Sequence, residues 1–293
     1  MVWHEILRAK KPYALEVVGD PWEALGPGTW PHTSRPIFRR IATQQLKRIC
    51  KGAIAVNYVT SETLQQRYPP SKGAYAVGIS DVSLENGVPP DRIQDRYRRF
   101  RQSPWQDTKT DHPFRIGFIG SFARMYKGPD TLIQAAALCR SHFNFQVILV
   151  GTGGYLPEMK ALAAKLGIVD RVEFRGEISS GRSIFEFLDS IDLFVMPSRA
   201  EGLPRALVEA MSRGCPCIAS AVGGIPELLD ASDLVSPGSP EKLAKLILRV
   251  TADSSRLVAM SARNLAKAAQ FSPQTLKQSR RAFLEEVKRR SSI

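Results

Sequence analysis

Two glutamates eight positions apart, Glu201 and Glu209, flank the turn Gly202-Leu203-Pro204 in the segment VMPSRAEGLPRALVEAMSR. A carboxylate accepts hydrogen bonds in pairs, which suits the vicinal hydroxyls of a sugar or ribose better than it suits a phosphate. Phosphate would be met instead by backbone amides, because a helix start leaves N–H groups without intrahelical partners and carries partial positive charge. The segment supplies such a start. Asp192 to Pro197 reads as a buried strand, Pro204 suits a first helical turn, and the apolar positions that follow keep a helical period. Gly202 and Leu203 would then offer amides to a phosphate oxygen, with Glu201 at the mouth and Glu209 about two turns deeper. Taken alone, a helix with a charged first turn and one solvated glutamate accounts for the same residues.

The neighbouring segments change that balance. Upstream, RIGFIGSFARMYKGPDTLIQAA reads as a strand ending at Gly120, a loop carrying Ser121, Arg124 and Lys127, then Gly128 and a helix. QVILVGTGGYLPEMKALAAKLG repeats the pattern, with the glycine-rich turn Gly151, Gly153, Gly154 between strand and helix. RVEFRGEIS, the acidic segment and CPCIASAVGGIPELL complete the series. Alternating apolar strands and amphipathic helices argue for parallel α/β architecture. In order and spacing these segments, from Phe114 to Asp253, resemble the donor half of the glycosyl transferases group 1, the retaining family-four enzymes of GT-B fold.

The resemblance implies an α/β chain of GT-B type: one complete Rossmann-like donor domain, its parallel sheet covered by helices on both faces, plus a partial N-terminal Rossmann-like domain. Residues 1–112 would be the partial acceptor-side domain and linker, 113–270 the donor domain, and 271–293 a C-terminal helix crossing back. Glu201 matches the first glutamate of the family's E-x7-E motif, which contacts the donor sugar and the developing oxocarbenium charge. Glu209 matches the second, which binds ribose; Gly202 and Leu203 match backbone donors to the diphosphate, and Lys127 the diphosphate-binding lysine. Glu201 and Lys127 are thereby the catalytic candidates. Where the family usually has an arginine after the strand-ending Gly120, this sequence has Ser121, with Arg124 three positions on. Gly151 and Gly153 lie where the family's chain approaches the nucleotide, although a tight turn of positive φ would also select glycine. Arg175 to Ile178 follows the strand Val172 to Phe174 and would frame the base. Asp20, Glu23 and Arg205 receive no role.

Glycosyl transfer from a nucleoside diphosphate sugar expels a leaving group that gathers negative charge, so fixed positive donors around it supply much of the catalysis. The implied reaction is a front-face displacement that retains configuration, without metal and with no cofactor beyond the donor substrate. The partners implied are a UDP- or GDP-sugar and a glycan or lipid-linked acceptor in bacterial surface polysaccharide synthesis. Two carboxylates alone suggest a glycosidase pair; their setting beside phosphate-binding backbone argues against it.

N-terminal to this region, Tyr13 to Val18 reads as a strand followed by a Pro/Gly/Trp-rich loop to Pro36, a basic helix over Arg39 to Lys51, and the strand Ala53 to Val59. AIAVNYVTSETLQQRYPP resembles an acceptor-domain segment of the same family, with Thr60 and Ser61 as N-cap candidates. The polar stretch from Pro89 to Pro113 reads as an interdomain connection whose charges are mostly solvated. A complete acceptor domain of the family begins well before Tyr13, so missing strands are expected from a second chain, or the chain is a truncated product or one begun at an internal methionine. None of His4, His32, His112 and His142 matches the histidine that the family places near the reacting carbon.

The balance of 41 basic and 28 acidic residues gives a net charge of +13, which calls for an anionic partner: nucleotide diphosphate, an anionic membrane surface or nucleic acid. Nucleic acid is not expected, because the basic residues are dispersed and no recognition motif is visible. No apolar run is long enough to span a bilayer, and MVWHEILRAKKPYALEVVGD lacks a signal-peptide core, so a cytoplasmic protein is expected. Cys50, Cys139, Cys215 and Cys217 lack metal-ligand spacing and read as reduced core residues. The last segment, FSPQTLKQSRRAFLEEVKRR, reads as a helix packing through Phe283, Leu284 and Val287; its basic residues also suit a peripheral membrane contact. Competing readings are a nucleotide-sugar epimerase or phosphorylase of the same architecture, and a non-catalytic remnant that binds nucleotide sugar or a partner chain.

Overall fold

The computed structural model describes residues 11–26, 29, 32–84, 87–102, 105 and 111–292. An N-terminal unit runs β1 (Ala14–Val17), α1 (Pro21–Ala24), α2 (Arg35–Gly52), β2 (Ala55–Tyr58), α3 (Thr63–Arg67) and β3 (Tyr75–Gly78). Its sheet is parallel in the order β1-β2-β3. Every residue of the central strand β2 is buried, as expected where both faces of a parallel sheet are covered. Val17, Cys50, Val56, Tyr58, Leu64 and Tyr68 form its core.

After α4 (Pro90–Gln102) the second unit alternates strand and helix: β4 (Phe114–Ile119), α5 (Pro129–Cys139), β5 (Phe145–Val150), α6 (Leu156–Lys165), β6 (Val172–Gly176), α7 (Arg182–Ser190), β7 (Leu193–Met196), α8 (Arg205–Ser212), β8 (Cys217–Ser220) and β9 (Leu234–Val235). Helices α9 (Pro240–Thr251), α10 (Ser254–Ala268) and α11 (Pro273–Ser291) close the chain. The sheet is parallel in the order β6-β5-β4-β7-β8-β9. Chain direction along the sheet reverses between β4 and β7, and the loops leaving their carboxyl ends border the crevice where such sheets hold ligands. Both loops carry candidate residues: Lys127 after β4 and Glu201 after β7.

The segment Pro89 to Pro113 corrects its sequence reading in part. Over 90–102 it is helical; most of its charges, Arg92, Arg98 and Arg101 among them, are exposed as expected, but Arg96 and Arg99 are engaged. Arg96, 8% exposed, donates to the carbonyls of Ile191 (2.5 Å) and Leu188 (3.0 Å), carbonyls that α7 leaves unpaired at its end. Arg99 forks Asp192 at 2.7 and 3.0 Å and reaches the Pro113 carbonyl at 3.0 Å. Phe100 and Trp105, N-terminal to the boundary expected at 112/113, lie in the core of the second unit. A guanidinium presents five donors in a fixed plane, so one side chain can tie a carboxylate and carbonyls together.

Helix α11 runs back over the N-terminal unit. Phe283 stacks on Tyr75 with ring centroids 6.2 Å apart, and Arg280 and Arg290 donate to the carbonyls of Ser80 (3.1 Å) and Gly73 (2.6 Å). Leu284, expected to pack, is 64% exposed. At the start of α3, Thr60 Oγ1 accepts the Leu64 amide at 3.0 Å, whereas Ser61 gives its own amide to Glu227 and caps nothing. The cysteines are buried and free, and burial pushes the Cys50 thiol up to about 11. Among the described residues no helix is long and apolar enough to cross a membrane, and no group of three or more His, Cys, Asp or Glu is placed to hold a metal ion.

Asp192 accepts from both Arg99 and the Arg115 amide with its side chain 4% exposed, so removing it leaves the Arg115 amide and the part-buried Arg99 guanidinium without their carboxylate. Asp192→Ala is expected to cost about 3 kcal/mol in urea unfolding. Glu285→Ala, which removes the exposed Arg281–Glu285 pair, should change the same measurement by less than about 0.5 kcal/mol.

Candidate active site

The loop after β4 makes a single 3-10 turn, Met125–Lys127, and leaves it through Gly128 in the left-handed region at φ 71°. A Cβ on Gly128 would stand 2.1 Å from the carbonyl oxygen of Pro197, so only glycine lets this turn lie against the end of β7. Arg199 fastens the two loops together. Its guanidinium forks Asp130 at 2.9 and 2.6 Å and reaches the Met125 carbonyl at 2.6 Å, while its amide donates to Tyr126 at 2.6 Å.

That arrangement sets Lys127 against Glu201. Lys127 Nζ donates to both carboxylate oxygens of Glu201 at 2.8 and 3.0 Å, and Ser198 Oγ donates to Oε1 at 2.6 Å. The side chains are 18% and 6% exposed, so the pair is attracted more strongly than a solvated one would be. Ser198, Arg199 and Asp130, which hold this contact in place, are residues that the sequence reading did not single out. Their signal is weak: a serine and an arginine just before the glutamate, and an acid just after the glycine.

The glycine-rich turn after β5 packs on the chain itself. A Cβ on Gly151 (φ 141°) would lie 1.9 Å from the Gly120 carbonyl oxygen, and one on Gly153 (φ 150°) would lie 2.1 Å from the Ala123 nitrogen. These two glycines therefore admit the backbone of the β4 loop. Ser121 shapes that loop by accepting the Ala123 amide at 3.1 Å. Beyond β7, Pro204 is the residue preceding α8 rather than its first helical one. A Cβ on Gly202 would meet the Val18 carbonyl oxygen of the N-terminal unit at 2.6 Å, and Leu203 packs against the cores of both units.

Where the units face each other, a cleft of about 340 Å³ opens, lined by Gly19, Asp20, Ala24 and Thr29 on one side and Arg124, Tyr126, Ala200, Glu201 and Gly202 on the other. Arg124 and Glu201 thus share one cavity. A larger apolar groove of about 510 Å³, lined by Leu84, Ile93, Gln94 and residues of α10, has no ionisable side chain among its described lining residues and lies elsewhere. Asp20 is spent on scaffolding: it caps α1 through the Trp22 amide, accepts the Tyr68 hydroxyl at 2.5 Å and pairs with Arg67. Glu23 is part-buried, its Oε2 shielded from solvent and unmatched by any hydrogen bond among the described residues. Burial raises its pKa, opposed by the nearby Gly223 and Glu201 amides. Glu209 stands in the second turn of α8, separate from the Lys127–Glu201 contact; burial raises its pKa and Arg205 opposes the rise.

Two parallel-sheet units, with a lysine and a glutamate meeting at the switch point beside a cleft that both units line, define an α/β protein of the two-domain class. The chain belongs to the glycosyl transferases group 1, whose family profile matches residues 100–270. Protein CapJ of Staphylococcus aureus is 31% identical over 83% of this chain and 57% of its own length. A GDP-mannose-dependent alpha-(1-6)-phosphatidylinositol monomannoside mannosyltransferase of Mycobacterium tuberculosis is 31% identical over 76% of this chain and 59% of its own. The chain thus spans less than two thirds of these curated relatives, 57% and 59%. Among solved structures, Anabaena Alr3699/HepE in complex with UDP-glucose superposes with a TM-score of 0.71 at 23% identity, covering 96% of this chain and 74% of that one. Sucrose-phosphate synthase from Thermosynechococcus elongatus reaches a TM-score of 0.74 at 22% identity, covering 98% and 70%. These likenesses establish the GT-B fold.

The raised pKa of Glu209 fixes a sign. The folded chain holds this proton more tightly than the unfolded chain, so ionisation costs stability as pH rises from the unfolded pKa through the folded one. Glu209→Gln is expected to raise the melting midpoint at neutral pH by a few degrees at most. The difference should vanish as pH falls below the ordinary carboxylate range, about 4, in a thermal-shift series across pH.

Proposed function

We propose that this chain forms the donor side of a retaining glycosyltransferase that moves a hexosyl group from a UDP- or GDP-sugar to a glycan or lipid-linked acceptor in bacterial surface polysaccharide synthesis. The observation that carries this reading is the Lys127–Glu201 contact beside the cleft that Arg124 also lines. A carboxylate held by a lysine is a resting exchange partner for a diphosphate. When the donor enters, phosphate oxygens compete for Lys127, and Glu201, still held by Ser198, becomes free to accept from sugar hydroxyls. Lys127 and Arg124 then face the charge that grows on the leaving diphosphate. The bond from the anomeric carbon to the phosphate oxygen breaks, the acceptor oxygen bonds on the same face, and its proton passes to the departing phosphate. Glu209 receives the ribose hydroxyls, and the donor is the only small molecule the reaction needs.

The relatives support the donor class in their own terms, since one is named for GDP-mannose and one solved structure holds UDP-glucose. A second reading, nucleotide-sugar binding without transfer, is favoured by an N-terminal sheet of three strands among the described residues. Under it a second chain, or further sequence of the same protein, completes the acceptor side. Peripheral contact with the inner face of the membrane fits a lipid-linked acceptor and the basic α11.

Calorimetric titration of the chain with UDP, GDP and ADP, beside Lys127→Ala and Glu209→Ala, tests the proposal. One nucleotide should bind, Glu209→Ala should abolish that binding, and Lys127→Ala should weaken the diphosphate about 10- to 100-fold while leaving the parent nucleoside unaffected. A folded sample that binds none, or a Lys127→Ala chain that binds as tightly, overturns the site. Binding without sugar transfer to any acceptor selects the second reading.

A further inference from the structure

The loop after β8, Val222 to Glu227, lies between the two units and contacts the backbone of both. At one end it braces the donor loop: the Gly224 amide donates to the Gly202 carbonyl at 2.7 Å. A Cβ on Gly223 (φ 52°) would stand 2.1 Å from the Glu201 carbonyl oxygen, and one on Gly224 would meet Thr60 Cγ2 at 2.8 Å. At the other end the Glu227 carboxylate gathers the start of α3 across the interface. Oε2 accepts the Ser61 amide at 2.6 Å; Oε1 accepts the Thr63 amide at 2.7 Å, the Thr63 hydroxyl at 2.6 Å and the Glu62 amide at 3.2 Å. No side chain of the residue preceding α3 caps it. The first amide of this helix, Thr63, and the two before it are thus satisfied from the other unit, while Thr60 Oγ1 takes the Leu64 amide.

Hydrogen bonds to an ionised acceptor are shorter and stronger than neutral ones, and four on one carboxylate restrict the angle at which the units meet. Burial pushes the Glu227 carboxyl up, and the bonds from Thr63, Ser61 and Glu62 outweigh it, leaving the pKa below its ordinary value. The contact depends on geometry in which α3 and the β8 loop meet. The same loop sits one residue from the backbone of Glu201 and Gly202, and Gly202 in turn abuts Val18 at the rim of the cleft.

We propose that Glu227 is a positioning residue: by holding the start of α3 it sets the N-terminal unit over the cleft and thereby fixes Glu201 and Gly202 against Val18 and Gly19. The kinetic part of this inference rests on the transferase reading; the geometric part does not. A capping contact of purely local value would lower the stability of the chain without altering how the units sit. A positioning contact alters the distance between them.

The test uses the full chain carrying Lys72→Cys and Lys165→Cys, exposed positions on the two units, for paired spin labels; the four native cysteines are buried. In Glu227→Ala the interdomain distance distribution is expected to broaden and shift to longer values while circular dichroism stays native. Glu227→Gln, which keeps an acceptor oxygen but no charge, should give an intermediate distribution, and Thr63→Val, which removes one of the four bonds, a smaller shift of the same sign. Nucleotide affinity should change less than about threefold, and any transfer rate should fall roughly 100-fold, as expected when reacting groups are misplaced by about 1 Å. Distances in Glu227→Ala that match the parent overturn the inference. If Glu227→Ala does not fold, unchanged distances in both Glu227→Gln and Thr63→Val overturn it in the same way. A parent chain that shows no transfer removes only the transferase reading, because the distances still decide the role of Glu227.

Discussion

The fork of Arg199 on Asp130 is the contact on which the candidate site depends. Neither residue touches Glu201, yet together with the Met125 and Tyr126 carbonyls they make the loops after β4 and β7 one body. Lys127 reaches Glu201 only because Gly128 lets the first loop press on Pro197 and Arg199 keeps it there. The sheet order supplies the crevice; this fork decides what faces what inside it.

A second constraint is how carbonyls and carboxylates left over at element ends are satisfied. Arg96, Arg99 and Arg213 all lie on or beside the interdomain connection or α8 and terminate on the end of α7 and the entry to β7, through Leu188, Asp189, Ile191 and Asp192. The chain therefore uses part of its basic excess as internal mortar. The net charge of +13 still favours an anionic partner, but a count of arginines overstates how many are available to one.

Much of the fold is legible in the sequence because its signals are local. The strands around Tyr13 to Val18, Ala53 to Val59 and Phe114 to Gly120, and the helix that follows Pro204, are set by apolar period and by turn residues within a few positions. Lys127 and Glu201 were singled out by resemblance, while their contact with each other was not read from the sequence. Ser198, Arg199 and Asp130 were not singled out, because a serine, an arginine and an aspartate in loops carry no periodic signal. The glycine-rich turn was legible as glycine-requiring, but the approaching group is the protein's own Gly120 to Ala123 backbone, which sequence alone does not identify.

The sequence by itself determined the succession of parallel strands and helices, the chemical types at the cleft and the family. Tertiary structure alone decided that Glu227 satisfies the start of α3 across 164 positions of chain and that Arg99 answers Asp192 across 93. The reason is physical. Periodicity and turn chemistry act over neighbouring residues, whereas the partner of a buried charge is chosen by which unsatisfied groups the packed units bring within hydrogen-bond reach.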